Sequence, residues 1–313
     1  MMKVAVTRKL PDSVEAKLAA RFDAELNSAD LAFGRDRLED AMRRCDVLAP
    51  SVRDGIDAEL IAGAGERLRL IANFGAGTDH VDLEAARARG IAVTNTPDVL
   101  TEDTADLVMA LILTGPRRLG EGERNLRAGR WRGWSPTDQH GRSLTGKALG
   151  IIGLGRIGRA VARRARAFGM AVHYHNRHPV SGEEAVHWPD LDAMLAGMDV
   201  VSLNAPYGPE THHLIDRRRL GLMKGDAWLI NAARGGLVDE AALIASLAGG
   251  HLAGAACDVF TIEPDANPAL LALPTFLGTP HIGGATAEAQ LAMGRAAIAG
   301  LANAREIADG WPV

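Results

Sequence analysis

Two cysteines in 313 residues, Cys45 and Cys257, are too few for a disulfide framework. Cys257 lies in the apolar run "GAACDVF" and reads as a buried thiol, so a reducing, cytoplasmic setting is expected. No window holds the roughly 18 uninterrupted apolar residues of a membrane helix. The opening "MMKVAVTRKLPDSVEAKL" has too short an apolar part, broken by charges, to be a signal peptide. Charge is also nearly balanced, at 35 Lys and Arg against 39 Asp and Glu. That leaves no electrostatic footprint for nucleic acid or an anionic membrane, and neither is expected as a partner. Low-complexity tracts and short repeats are missing too. The histidines, including His212 and His213, lack metal-ligand spacing with cysteines or acids, so no metal is expected. The "RRR" run at 217–219 reads as a solvated helix face.

What is present is alternation. About half of the residues are apolar, enough for one large domain or two ordinary ones with their own cores. Short apolar runs alternate with longer amphipathic stretches, the pattern of parallel sheets flanked by helices. In the first third "KVAVT", "CDVLAP", "LRLIANF" and "IAVTN" read as strands, with helical "DSVEAKLAARF" and "DLEAARARG" between them. Pro97 interrupts this series. Thr101 then reads as the N-cap of a helix with Glu102 and Asp103 in its first turn, ended by Gly115-Pro116. The alternation restarts with "ALGIIG", "MAVHYH", "MDVVSLN", "DAWLINA", "LAGAACDVF" and "PTFLGTP" as strands. One Ala-rich amphipathic helix closes the chain and must dock to bury its apolar face. The fold class is α/β with two doubly wound units.

"ALGIIGLGRIGRAVARRARAFGM" contains Gly153-x-Gly155-x-x-Gly158 between an apolar strand and a helix, the context of a dinucleotide fingerprint. Gly153 serves the tight turn, Gly155 the approach of a pyrophosphate, and Gly158 the close packing of helix on strand. Amides near Arg156 and Ile157 open the helix toward the phosphates. The acid normally found about twenty residues further on is absent. "HYHNRH" at 173–178 offers Asn176, Arg177 and His178 instead. An acid would bond the adenosine ribose 2′-hydroxyl and repel a 2′-phosphate. An uncharged Asn176 removes the repulsion, Arg177 adds a charge-assisted contact, and His178 assists when protonated. NADP(H) is therefore expected ahead of NAD(H), which stays possible.

Downstream follow "INAARGGLVDE" with Arg234, "DVFTIEP" with Glu263 and "TPHIGGAT" with His281. In this order behind the glycine loop, and with "GAGTDHVD" at 75–82 and "NTPDVLTEDTADL" at 95–107, they resemble the D-isomer-specific 2-hydroxyacid dehydrogenase family over nearly the whole chain. The chemistry asks for such residues. A guanidinium binds a 2-keto acid's carboxylate and polarises its carbonyl; an imidazole supplies the proton; a carboxylate fixes the imidazole's tautomer. These roles fall to Arg234, His281 and Glu263.

The resemblance implies more. Ala76 and Gly77 would hold the substrate carboxylate through backbone amides, with Arg234 and His281 completing the substrate site. Thr104 would lie near the nicotinamide end. Asn204, Ala205, Pro206 and Thr211 would line the adenosine and pyrophosphate. Ala232, Ala233, Arg234 and Asp258 would serve the nicotinamide ribose, with His281, Gly283 and Gly284 beside the carboxamide; Asp258 reads alternatively as a buried acid serving a local amide. A substrate domain of 1–97 plus 285–313, flavodoxin-like, is expected, with a Rossmann NAD(P)-binding domain of 98–284 inserted in it. The segment from Thr101 to Pro136 resembles the family's dimer arm, so a homodimer is expected. Its Trp131 and Trp134 read equally as interface anchors or as core. Among substrates, glyoxylate and hydroxypyruvate are favoured, since the 74–82 loop and "HNR" look most like the glyoxylate/hydroxypyruvate reductase branch. Other branches (phosphoglycerate, hydroxyphenylpyruvate and 2-ketogluconate types) and a nucleotide-sensing corepressor-like protein stay as alternatives. Glu263 disfavours formate dehydrogenase, whose members resemble one another in having Gln there.

Overall fold

The computed structural model describes residues 1–138 and 140–307, with 301–307 given by backbone alone. The chain divides into two units, Met1–Leu100 with Ala285–Val313, and Thr101–Gly284. The first junction falls after Leu100 rather than after residue 97, because the helix that opens the second unit begins at Thr101. Thr101, expected as that helix's cap, is its first residue.

The first unit holds β1 (Lys3–Val6), β2 (Asp23–Glu25), β3 (Val47–Ala49), β4 (Leu70–Ala72) and β5 (Ala92–Thr94). Helices α1 (Asp12–Arg21), α2 (Arg35–Arg44), α3 (Ala58–Ala62) and α4 (Leu83–Ala88) connect them. The strands are parallel in the order β2-β1-β3-β4-β5, the flavodoxin-like arrangement. Strand residues alternate between faces, so one sheet feeds two cores. Ala5, Leu48 and Ile71 pack with α2 and α3 residues such as Met42 and Leu60. Val4, Val6, Val47, Ala49, Leu70 and Ala72 pack on the other face with Val14 and Leu18 of α1. The terminal helix (Ala287–Ile307) belongs to this unit and lies against α1 and β4. Gly294 permits the contact, since a Cβ there would lie 2.4 Å from Val14 Cγ2. Ile298 joins the second core.

The second unit opens with α5 (Thr101–Thr114) and α6 (Leu119–Arg127). Its strands are β6 (Ala148–Ile152), β7 (Ala171–His175), β8 (Val186–His187), β9 (Val200–Leu203), β10 (Trp228–Asn231), β11 (Gly254–Cys257) and β12 (Phe276–Gly278). Between them run α7 (Arg156–Ala167), α8 (Leu191–Gly197), α9 (Arg217–Leu222), α10 (Glu240–Ala248) and α11 (Pro268–Leu271). The parallel order β12-β11-β10-β9-β6-β7-β8 is the doubly wound dinucleotide-binding arrangement with one strand added. Alternation again feeds two cores: Ile152, Val201, Leu229 and Ala255 on one face, Leu149, Ile151, Val200, Ile230 and Ala256 on the other. Asp216 and Asp239 cap α9 and α10 by accepting from Arg219 and Ala242 backbone N–H, each such cap contributing about 0.5–2 kcal/mol.

Several local expectations change. The short edge strands β2 and β8 were not expected, because neither stretch is a continuous apolar run. The 217–219 run is not simply solvated: Arg218 and Arg219 both bind the Asp192 carboxylate. Trp131 and Trp134 are not core, being 62% and 85% exposed.

Candidate active site

The glycine loop follows β6, and each glycine has its own reason. Gly153 has φ +94°, and a Cβ on it would lie 2.6 Å from the Ala205 backbone nitrogen. The turn and the packing of the next strand's loop both exclude a side chain there. A Cβ at Gly158 would lie 2.4 Å from the Gly153 carbonyl oxygen, which fixes the seat of α7 on the loop. A Cβ at Gly155, by contrast, would meet nothing within 4 Å. Here the backbone borders open space at the N-terminus of α7, whose first-turn amides have no intrahelical acceptor. Close packing on two sides and open space at the middle glycine fit a dinucleotide's pyrophosphate.

Asn176 stands just past the end of β7, and its Oδ1 accepts from the Leu154 backbone N–H at 2.7 Å. The side chain thus ties the glycine loop to the neighbouring strand. Its Nδ2 has no partner among the described residues. Arg177 and His178 are exposed, and Arg177 meets Glu210 at 3.2 Å in a pair that is 85% and 83% exposed. Asn204 follows β9, and its Nδ2 donates to the Ser202 hydroxyl at 3.0 Å. In the next loop, Thr211 Oγ1 accepts from Gly208 N–H and donates to the Pro206 carbonyl, which closes a tight 206–211 turn. On that turn Tyr207 hydroxyl meets His212 Nδ1 at 3.0 Å, and the His212 and His213 rings stack at 3.9 Å.

The three adjacent strands β10, β11 and β12 supply the remaining groups at their carboxyl ends, where doubly wound sheets hold ligands. Arg234 comes three residues after β10, on a turn held by buried Asn231. Asn231 Oδ1 accepts from Ala233 N–H at 3.1 Å and its Nδ2 donates to the Arg234 carbonyl at 2.9 Å. Gly235 then runs against the loop after β11, where a Cβ would lie 2.0 Å from the Phe260 carbonyl carbon. Sequence reasoning missed Asn231; "INAARGG" carried the signal, an Asn closing a strand before a turn.

Glu263 lies on the loop after β11. Its Oε1 accepts from Phe260 N–H at 3.0 Å, and its Oε2 meets His281 Nδ1 at 2.7 Å. His281 Nε2 makes no hydrogen bond to any described residue. The ring is oriented at one nitrogen and open at the other, in a residue that is half-buried with an αL backbone, φ +55°. Such a conformation in a residue other than glycine needs support. Asp258, 1% exposed, gives it: Oδ1 accepts from Thr279 hydroxyl at 2.6 Å and Ile282 N–H at 2.8 Å, and Oδ2 accepts from Gly283 N–H at 2.8 Å. Thr104 of α5 donates to the Gly283 carbonyl at 3.2 Å. Thr104, Asp258 and Gly283 therefore meet around the His281 loop, and Asp258 acts there as a buried acid on local amides.

Ala76 and Gly77 belong to the first unit, on the loop after β4. Both are half-buried.

Known proteins share both the sequence and the fold of this chain. Residues 109–283 match the family model for the D-isomer specific 2-hydroxyacid dehydrogenase NAD-binding domain. The chain is 42% identical to a glyoxylate reductase from Thermococcus litoralis, over 93% of this chain and 90% of that one. A crystal structure of a glyoxylate reductase from Paecilomyes thermophila has TM-score 0.87 at 32% identity, covering 97% of this chain and 95% of that one. An NADPH-dependent glyoxylate/hydroxypyruvate reductase from Sinorhizobium meliloti, solved with NADP and malonate, has TM-score 0.82 at 36% identity, covering 95% and 91%. With two parallel-sheet units and a dinucleotide loop in place, the chain belongs to the D-isomer-specific 2-hydroxyacid dehydrogenases and is an oxidoreductase of that family.

Proposed function

We propose that the protein is an NADPH-preferring reductase of small 2-keto acids, taking glyoxylate to glycolate and hydroxypyruvate to D-glycerate. The observation that carries this is the His281–Glu263 pair, 2.7 Å at Nδ1 with Nε2 open, beyond the strand ends that also bear Arg234. Arg234 binds the keto acid's carboxylate and polarises its carbonyl oxygen. Ala76 and Gly77 add backbone amides to that carboxylate. His281 releases the Nε2 proton to the carbonyl oxygen as charge develops on it. Glu263 holds Nδ1–H, which fixes the ring's tautomer and orientation. When bound, the nicotinamide supplies the hydride. The loop around Gly153, Gly155 and Gly158, with Asn204 to Thr211, would hold the dinucleotide, and Asn176, Arg177 and His178 would meet a 2′-phosphate.

The relatives named glyoxylate reductase support the choice of small substrates. A homodimer is part of the proposal, because α6 buries none of its residues while Leu119, Leu126, Trp131 and Trp134 stand exposed. Two free, buried thiols suit a reducing cytoplasm. The test is a panel of glyoxylate, hydroxypyruvate, pyruvate and phenylpyruvate with both cofactors. Glyoxylate and hydroxypyruvate should lead. If phenylpyruvate exceeds both by about tenfold in kcat/KM, a discrimination of about 1.4 kcal/mol, the substrate reading is wrong.

A further inference from the structure

The loop after β4 has an unusual division of hydrogen bonds. Three successive carbonyls, those of Gly75, Ala76 and Gly77, all accept from side-chain amides. Asn73 Nδ2 donates to Gly75 at 3.0 Å and to Gly77 at 2.7 Å, and Asn95 Nδ2 donates to Ala76 at 2.7 Å. The Gly75 carbonyl also accepts from Thr96 N–H at 3.0 Å. The N–H groups of Ala76, Gly77 and Thr78, on the other hand, donate to no acceptor among the described residues. Carbonyls that are satisfied beside amides that are not give the segment a local excess of positive potential, the property of an anion-binding nest.

Asn73 is built for this at some cost to itself. It is 1% exposed, its backbone N–H is fixed on the Thr94 carbonyl at 2.9 Å, and its Oδ1 is buried without a partner. Turning the amide over would set that oxygen against two carbonyl oxygens, so the loop dictates its orientation. Gly75 adds closeness, since a Cβ there would lie 2.4 Å from Val52 Cγ1.

We propose that Asn73 and Asn95 are positioning residues for substrate, holding the carbonyls of residues 75–77 so that the amides of Ala76, Gly77 and Thr78 receive a carboxylate. This rests on the reductase reading, which places the substrate carboxylate on this loop, and adds Thr78 as a donor and the two asparagines as its supports. A carboxylate is present in the ground state and the transition state alike. Losing its seat weakens both equally, which raises KM and spares kcat.

The experiment uses the full-length protein with Asn73→Leu, which keeps the branched skeleton of the buried side chain but removes its donor, Asn95→Ala, and the pair together. Each single change should raise KM for glyoxylate by about tenfold, the size of one charge-assisted contact, with kcat at saturation within about threefold. Calorimetric titration of oxalate into the protein–NADPH complex should show the same loss of affinity. For Asn95→Ala, at an exposed side chain, thermal midpoint and NADPH affinity should stay close to wild type, which a merely structural role would not spare. Unchanged KM and unchanged oxalate affinity in both variants overturn the proposal, as does a fall in kcat at constant KM. If Asn73→Leu does not fold, Asn95→Ala, at an exposed side chain, decides. If the wild type reduces no 2-keto acid yet binds oxalate, and the variants lose that binding, the reductase reading fails and this inference stands. If the wild type reduces no 2-keto acid and binds no oxalate, both fail.

Discussion

Replacing Asn176 by Asp tests the proposed NADPH preference at one atom. Asn176 Oδ1 already accepts from Leu154 N–H at 2.7 Å, and an Asp oxygen accepts there equally well. The glycine loop therefore keeps its tie to β7, and only the partnerless Nδ2 is exchanged for a charged oxygen. Two terms then act against a 2′-phosphate. The donor lost to a charged acceptor is worth about 1.5–3 kcal/mol. The new repulsion between unit charges about 5–7 Å apart, at an effective dielectric of about 20–80, adds about 0.6–3 kcal/mol. Asn176 is half-buried, so the lower ends of both ranges apply. The sum of about 2 kcal/mol converts to about a thirtyfold fall in the NADPH/NADH ratio of kcat/KM. Arg177 should contribute less. Its partner Glu210 is as exposed as it is, and such pairs hold side chains weakly, so Arg177 is free to turn to a phosphate but gains little when it does. Asn176→Asp, Arg177→Ala and the double variant should be assayed with glyoxylate and both cofactors, alongside Kd values from cofactor fluorescence. A wild type that prefers NADH, or a double variant whose cofactor ratio is unchanged, refutes the reasoning.

Other outcomes follow from the same geometry. His281→Ala should lower kcat by roughly 10²–10⁴-fold with substrate saturating, as for loss of a general acid; near-wild-type kcat removes His281 from that role. Light scattering at micromolar concentration should return a dimer mass, and Trp134→Ser should weaken the dimer; a monomer mass for the wild type rejects the assembly. Burial pushes the thiols of Cys45 and Cys257 up to about 12, so neither should react with a thiol reagent near neutral pH until the protein is unfolded. Asp30 and Asp192 carry carboxyls held down to about 2, first by hydrogen bonds from Arg8 and Arg218 respectively. A depressed carboxyl binds its proton less readily when folded, so its share of stability is complete above about pH 4 and is lost as pH falls toward 2. The Asp30→Asn/Asp192→Asn protein should therefore lose less stability than wild type in urea melts between those values, and equal losses would show that the pairs do not form in solution.

The residues that were legible in the sequence are those whose roles are local in the chain. Gly153 must turn within one residue, and Gly158 must pack five residues away on Gly153 itself, so a short pattern records both constraints. The strands that could be read are the central ones. Two-sided burial makes Leu149, Ile151 and Ile152 apolar in a row, whereas β2 and β8 sit at sheet edges and need no such run. Arg234, Glu263 and His281 are singled out only by their order along the chain behind the glycine loop, because each is ordinary by itself.

The supports of the site are a different matter, since they act across the fold. Asp258 meets Thr279, Ile282 and Gly283 only because β11 and β12 pair side by side, and its sequence neighbours "ACDVF" say nothing of that. Asn95 reaches Ala76 only because β5 lies beside β4. Asn231 and Asn73 share one device: each follows or ends a short apolar strand, is 1% exposed, and turns its amide onto the next few backbone groups. A buried asparagine costs stability unless its groups are paired. Its place at the end of an otherwise apolar strand is therefore informative once the strand is known to be buried on both faces. At such a position an amide on the backbone of the next turn fixes where that turn's own groups point. For β10 this sets the turn that carries Arg234; for β4 it leaves the amides of residues 76–78 open.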